Sequence, residues 1–93
     1  MSPPTCLRLI VHGTVQGVGF RFAACEAASE CSVSGWARNL PDGSVEIVAQ
    51  GSPDALARMT AWARRGPRFA SVDRVEIETL TGTQEFEGFE IRR

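Results

Sequence analysis

Glycines at 13, 17 and 19 followed by Arg21 are the first group in this chain whose types and spacing could do chemistry. The stretch from Val11 to Arg21 reads V-H-G-T-V-Q-G-V-G-F-R. Glycine takes positive φ without a Cβ penalty, so the N–H groups of such a loop can converge on one point. Free amides at a helix start, together with the helix dipole, favour an anion there. Arg21 adds a planar fork of donors that suits phosphate oxygens. If a strand ends at Val11 and a helix begins near Phe20, the combination predicts a small phosphate cradle. A glycine loop can equally do no more than turn the chain. The lysine-bearing phosphate loop and the dinucleotide G-x-G-x-x-G are both absent, so neither nucleotide reading has support.

Composition narrows the remaining chemistry. Every basic residue other than His12 is arginine, which excludes a Schiff-base lysine and a lysine phosphate clamp. His12 is the sole histidine, leaving little for a histidine metal site or a Ser–His relay. Cys6, Cys25 and Cys31 are odd in number and lack C-x-x-C spacing; they read as small apolar fillers in a reducing compartment. Neither a metal nor a cofactor is called for. The net charge of −1 gives no electrostatic footprint for nucleic acid or an anionic membrane. No apolar run reaches membrane-spanning length and no secretion-signal layout precedes Cys6; a cytoplasmic monomer is the expectation.

The elements that must hold the loop follow from periodicity. One domain over residues 1–93 is expected, with Met1 to Thr5 as a mobile arm. Cys6 to His12 alternates, with Leu7, Leu9 and Val11 on one side and Arg8, Ile10 and His12 on the other. After the loop, Phe20, Ala24, Ala27, Ala28 and Cys31 fall at helical spacing, and Phe22 lies off that stripe, free to cover the side of the cradle. Val33 to Leu40 reads as a second strand, with Val33, Gly35, Ala37 and Asn39 sharing a face. Leu40-Pro41-Asp42-Gly43 has turn chemistry and leads to a third strand with Val45, Ile47 and Ala49 inward. Ser52-Pro53-Asp54 opens a second helix, closed by Arg64, Arg65 and Gly66-Pro67. Val72 to Thr79 alternates as a fourth strand, and Phe86 to Ile91 reads as a short last one.

The order β-α-β-β-α-β with a short appended strand predicts an α+β, ferredoxin-like split-βαβ sandwich: a mostly antiparallel sheet with both helices on one face. In that topology the first two strands run parallel with the third between them. Their C-terminal ends share one edge, so the cradle and Asn39 are expected to meet.

The residues carrying this reading also carry a likeness. Gly13-Thr14-Val15-Gln16-Gly17-Val18-Gly19-Phe20-Arg21 resembles the first signature of the acylphosphatases. Gly35-Trp36-Ala37-Arg38-Asn39, with Gly43, Val45 and Gly51 at the expected intervals, resembles the second. The likeness runs from Cys6 to Ile91 and departs at Ile91-Arg92-Arg93, where relatives often end on an aromatic. It implies hydrolysis of the carboxyl–phosphate anhydride of a small acyl phosphate, with inorganic phosphate as product and competing ligand. It also implies that Arg21 binds phosphate and is catalytic, that Asn39 positions the attacking water, and that the backbone of Gln16, Gly17, Val18, Gly19 and Phe20 supplies the cradle.

Other uses of these residues fit less well. Trp36 and Trp62 read as packing aromatics, and Arg64, Arg65 and Arg68 as a solvated helix end. Glu85, Glu87 and Glu90 read as a solvated strand face, and His12 as a residue of the first strand's second face. An RNA reader of this topology wants stacking aromatics on its third strand; here Ser44 to Gln50 has none and carries Glu46. An acylphosphatase-like domain also begins the hydrogenase-maturation proteins that process carbamoyl phosphate. Those chains are much longer, whereas this one runs from Met1 to just past its last strand, so a free-standing protein is expected.

Overall fold

The computed structural model describes residues 4–82 and 84–93. Seven elements follow in order: β1 Thr5–Thr14, α1 Phe20–Cys31, β2 Ser34–Asn39, β3 Val45–Gly51, α2 Pro53–Arg65, β4 Ser71–Leu80 and β5 Phe89–Arg92. They form a five-stranded sheet in the order β4-β1-β3-β2-β5. The β1–β3, β1–β4 and β2–β3 pairs are antiparallel, and β5 runs parallel to β2. The expected β-α-β-β-α-β order with an appended strand is therefore the fold.

Alternation decides what each face does. Leu9 and Val11 of β1, Ala37 of β2, and Val45, Ile47 and Ala49 of β3 point into one core with Phe20, Ala24, Leu56 and Met59 from the helices. α1 lies over β2 and β5, while α2 lies over β1, β3 and β4. The alanines of α1 bring it close to the sheet. α2 begins as its sequence implies: Ser52 accepts a hydrogen bond from the Ala55 amide, Pro53 takes the first position and Asp54 faces the dipole. Among the described residues, no helix is long and apolar enough to cross a membrane.

Several boundaries differ from expectation, each for a local reason. Gly13 belongs to β1 rather than to the loop: the register with β4 shifts between His12 and Gly13, and Gly13 adopts φ 131°. A Cβ there would collide with the Ser71 carbonyl, so the bulge requires glycine. Thr5 pairs with Gly51 as the first residue of β1; of the expected mobile arm, residues 1–3 lie outside the described residues. β5 starts at Phe89 rather than Phe86, because Gly88 turns left-handed at φ 76° and its carbonyl accepts from the Gly35 amide at 2.9 Å. Glu85 and Glu87 consequently precede the strand, and only Glu90 sits on it.

The open face of the sheet holds an ionic centre. Glu46 is 3% exposed, yet its two carboxylate oxygens accept from Arg8 on β1 and Arg38 on β2. Arg38 and Arg92 lie over the Trp36 ring at 5.2 and 4.8 Å. Burial pushes the Glu46 carboxyl up, but the hydrogen bonds from Arg8 and Arg38 outweigh it and hold it below the ordinary carboxylate range. A carboxyl depressed in the folded state stabilises above its unfolded value, near about 4.3, and that contribution fades as pH falls through the folded value. Glu46→Gln is expected to cost about 1–2 kcal/mol at pH 7, the loss of two charge-assisted bonds discounted for the exposure of the arginines. Urea unfolding at pH 7 and pH 3 checks this: the gap between variant and wild type should narrow at the lower pH.

Candidate active site

The site grows from the register of three strands. Val45, the first residue of β3, pairs with Val11 on one side and with Asn39 on the other. With strands about 4.8 Å apart, Val11 near the end of β1 and Asn39 at the end of β2 lie roughly 10 Å from each other on one edge of the sheet. β1 then delivers the chain into the 15–19 loop, and β2 ends on Asn39. Asn39 alternates onto the face of Ala37, the helix side, which aims it toward the start of α1.

That start is unusual beside α2. The N-cap of α1 is Gly19 at φ 77°, ψ 20°, with no side-chain cap and no acid in the first turn. Gly17 is also left-handed, at φ 76°. Left-handed glycines alternating with ordinary residues turn consecutive amides toward one side, the geometry of an anion-binding nest. The first intrahelical bond runs from the Ala23 amide to the Gly19 carbonyl at 3.0 Å, so the amides of Phe20, Arg21 and Phe22 carry no helical partner. A terminus with no side-chain cap and no acid in its first turn, and with an arginine added, has the chemistry to accept an anion. Among the described residues no carboxylate lies within salt-bridge distance of Arg21.

Val15, Gly17, Gly19, Phe20, Arg21, Phe22 and Asn39 line one pocket of about 100 Å³. Five of the seven expected site residues, Gly17, Gly19, Phe20, Arg21 and Asn39, thus come together. Val18 turns away, half-buried against the core. Gln16 does not line the pocket either; its Nε2 donates to the carbonyls of Leu40 and Ser44, both at 2.8 Å. One side chain so clamps the loop to the hairpin that follows Asn39. The hairpin is itself fixed, because Asp42 Oδ1 accepts from both the amide and the hydroxyl of Ser44. Those bonds hold the Asp42 carboxyl below its usual range. Phe20 anchors the other end, fully buried with its ring tilted 55° on Trp62 at a centroid distance of 5.1 Å.

Sequence alone marks Gln16 only as loop backbone and does not show this clamp. Its one signal is a long amide in a glycine loop, and that gains meaning only once a partner hairpin is known. Gln16→Ala is expected to weaken competitive inhibition by inorganic phosphate about three- to tenfold. It should cost only about 1 kcal/mol in thermal or urea unfolding, since both carbonyls keep backbone donors from the hairpin.

Other features sit apart from this pocket. His12 lies on the open sheet face, its Nε2 3.4 Å from a Glu76 oxygen. The three cysteines are free, and burial pushes the Cys6 and Cys25 thiols up, away from the thiolate form. Arg64, Arg65 and Arg68 are exposed. Among the described residues no group of three or more His, Cys, Asp or Glu could hold a metal ion. A larger hollow of about 490 Å³ opens between Thr5 and Leu7 of β1 and the Leu56–Arg64 flank of α2. It offers one arginine and no converging amides, so it lacks what phosphate chemistry needs.

Known proteins share this fold and sequence. The 96% of the chain that superimposes on HypF of T. kodakarensis does so with a TM-score of 0.79 and 29% identity, but spans only 12% of that protein. Shorter proteins match over most of their length. An acylphosphatase structure from Coxiella burnetii superimposes with a TM-score of 0.91 at 37% identity, covering 97% of this chain and 94% of that one. Curated acylphosphatases from Thiobacillus denitrificans and Aeropyrum pernix are 48% and 52% identical, covering 92% and 91% of this chain and 94% and 85% of theirs. The acylphosphatase family profile matches residues 7–91, which contain the whole pocket, and the chain belongs to the acylphosphatase family, hydrolases of acid anhydrides.

Proposed function

We propose that this pocket hydrolyses the carboxyl–phosphate anhydride of small acyl phosphates, with Arg21 and the loop amides gripping the phosphoryl group and Asn39 holding the attacking water. The observation that carries the reading is the meeting, in one small pocket, of an uncapped helix start, a carboxamide and a guanidinium with no carboxylate partner among the described residues. The chemistry asks for little more. A carboxylate leaves with a conjugate-acid pKa near about 4, so no general acid is needed. The obstacle is bringing water to an anionic phosphorus in line with the departing oxygen. Donors on the equatorial oxygens stabilise that charge, each worth on the order of 3 kcal/mol where single donors have been removed. Asn39 is neutral, so its amide oxygen can accept from water without repelling the phosphate, and holding that water oriented lowers the entropic barrier. The water oxygen bonds to phosphorus as the phosphorus–oxygen bond to the acyl group breaks, the carboxylate leaves with the electron pair, one of the water's protons passes to a phosphoryl oxygen, and inorganic phosphate remains bound at the amides and Arg21.

The test is hydrolysis of acetyl phosphate by the purified chain, with and without a chelator, following release of phosphate. Turnover well above the spontaneous rate, unchanged by chelation and inhibited competitively by inorganic phosphate, supports the mechanism. No turnover, or turnover abolished by the chelator, overturns it.

A further inference from the structure

The pocket shared by Arg21 and Asn39 holds about 100 Å³, the bulk volume of roughly three waters. With a phosphoryl group and one water in that space, the acyl part of a bound acyl phosphate extends toward the rim. One wall of that rim is Phe22, which lines the pocket and is nevertheless 70% exposed. At 100° per residue, Phe22 stands about 200° around α1 from the buried Phe20, facing away from the core. The fold makes no use of its ring: Phe22 belongs to no buried cluster, and the aromatic contact of this region joins Phe20 to Trp62 instead. An exposed helix position is better served by alanine or a charged residue.

The geometry points to Phe22 as the acyl-contacting residue that sets substrate preference, selecting acyl phosphates with an aromatic or bulky apolar acyl group over acetyl or carbamoyl phosphate. The inference rests on the hydrolysis proposed above. A flat apolar acyl group gains contact with the ring, whereas acetyl is too short to cover it, and a carbamoyl amide finds no hydrogen-bond partner on a phenyl face. Phe22 takes no proton and no electrons; it acts through contact alone.

Benzoyl phosphate and acetyl phosphate are the probes, and the readout is the ratio of their kcat/KM values. Phe22→Ala is expected to lower the benzoyl-to-acetyl ratio about fivefold, the size of one aromatic contact, chiefly through KM for benzoyl phosphate. Phe22→Leu should fall between. Alanine at this exposed helical position does not threaten folding. Phe69 is as exposed, at 75%, but lies outside the pocket, so Phe69→Ala should leave the ratio within twofold. A ratio unmoved by Phe22→Ala, or moved as much by Phe69→Ala, overturns the assignment while hydrolysis itself stands. A wild-type protein that hydrolyses neither probe overturns both readings together.

Discussion

Arg21→Ala is expected to lower kcat/KM on acetyl phosphate by about three to four orders of magnitude and to weaken inorganic phosphate inhibition in parallel. The variant loses one transition-state donor, worth about 10²–10³, and a full charge where a phosphoryl group is being attacked. The effect is large because no carboxylate among the described residues lies within salt-bridge distance to compete for the guanidinium. Arg21→Lys keeps the charge but not the fork, and should recover only a small part of the rate. Stability separates this from a folding defect. A cation in the first turn of α1 opposes the helix dipole, and that turn has no acid to offset it. Removing it should leave the melting temperature unchanged or slightly higher. Lost activity with undiminished stability is the mark of a charge kept for a ligand; equal loss of both would assign Arg21 to the scaffold and leave the pocket without its anion grip.

How far such a site can be read in advance depends on which contacts are local. The strands and helices came from periodicity, and the meeting of loop and Asn39 came from topology, because parallel β1 and β2 flanking β3 leave no other arrangement. The N-cap of α2 was equally legible, since Ser52, Pro53 and Asp54 act within one turn. What escaped was set by distant partners. Gly13 looked like part of the loop, and only the β4 backbone opposite it reveals a bulge. Glu46 sat on what alternation marks as the polar face of β3, yet arginines from two neighbouring strands cover it. Gln16 needed the carbonyls of Leu40 and Ser44, 24 and 28 residues away. Phe22 was legible as an aromatic off the buried stripe, and its place on the pocket wall follows from the helix phase alone.

Asn39→Ala should separate the two halves of the mechanism. Asn39 is the last residue of β2, held by its pairing with Val45, so shortening its side chain leaves the strand and the loop amides in place. The guanidinium and the loop still bind phosphate, and competitive inhibition by inorganic phosphate should stay within about threefold of wild type. Turnover should fall about 10²–10³-fold, because the attacking water loses the acceptor that orients it and must find the line of attack unaided. Asn39→Asp sharpens the contrast. It keeps an acceptor of nearly the same shape but sets a negative charge beside the phosphoryl group, so phosphate inhibition should weaken along with turnover, most strongly at low ionic strength. If alanine instead weakened phosphate binding as much as it slowed turnover, Asn39 would belong to the anion grip with Arg21. The water would then need another holder, and among the residues lining this pocket only main-chain groups remain to provide it.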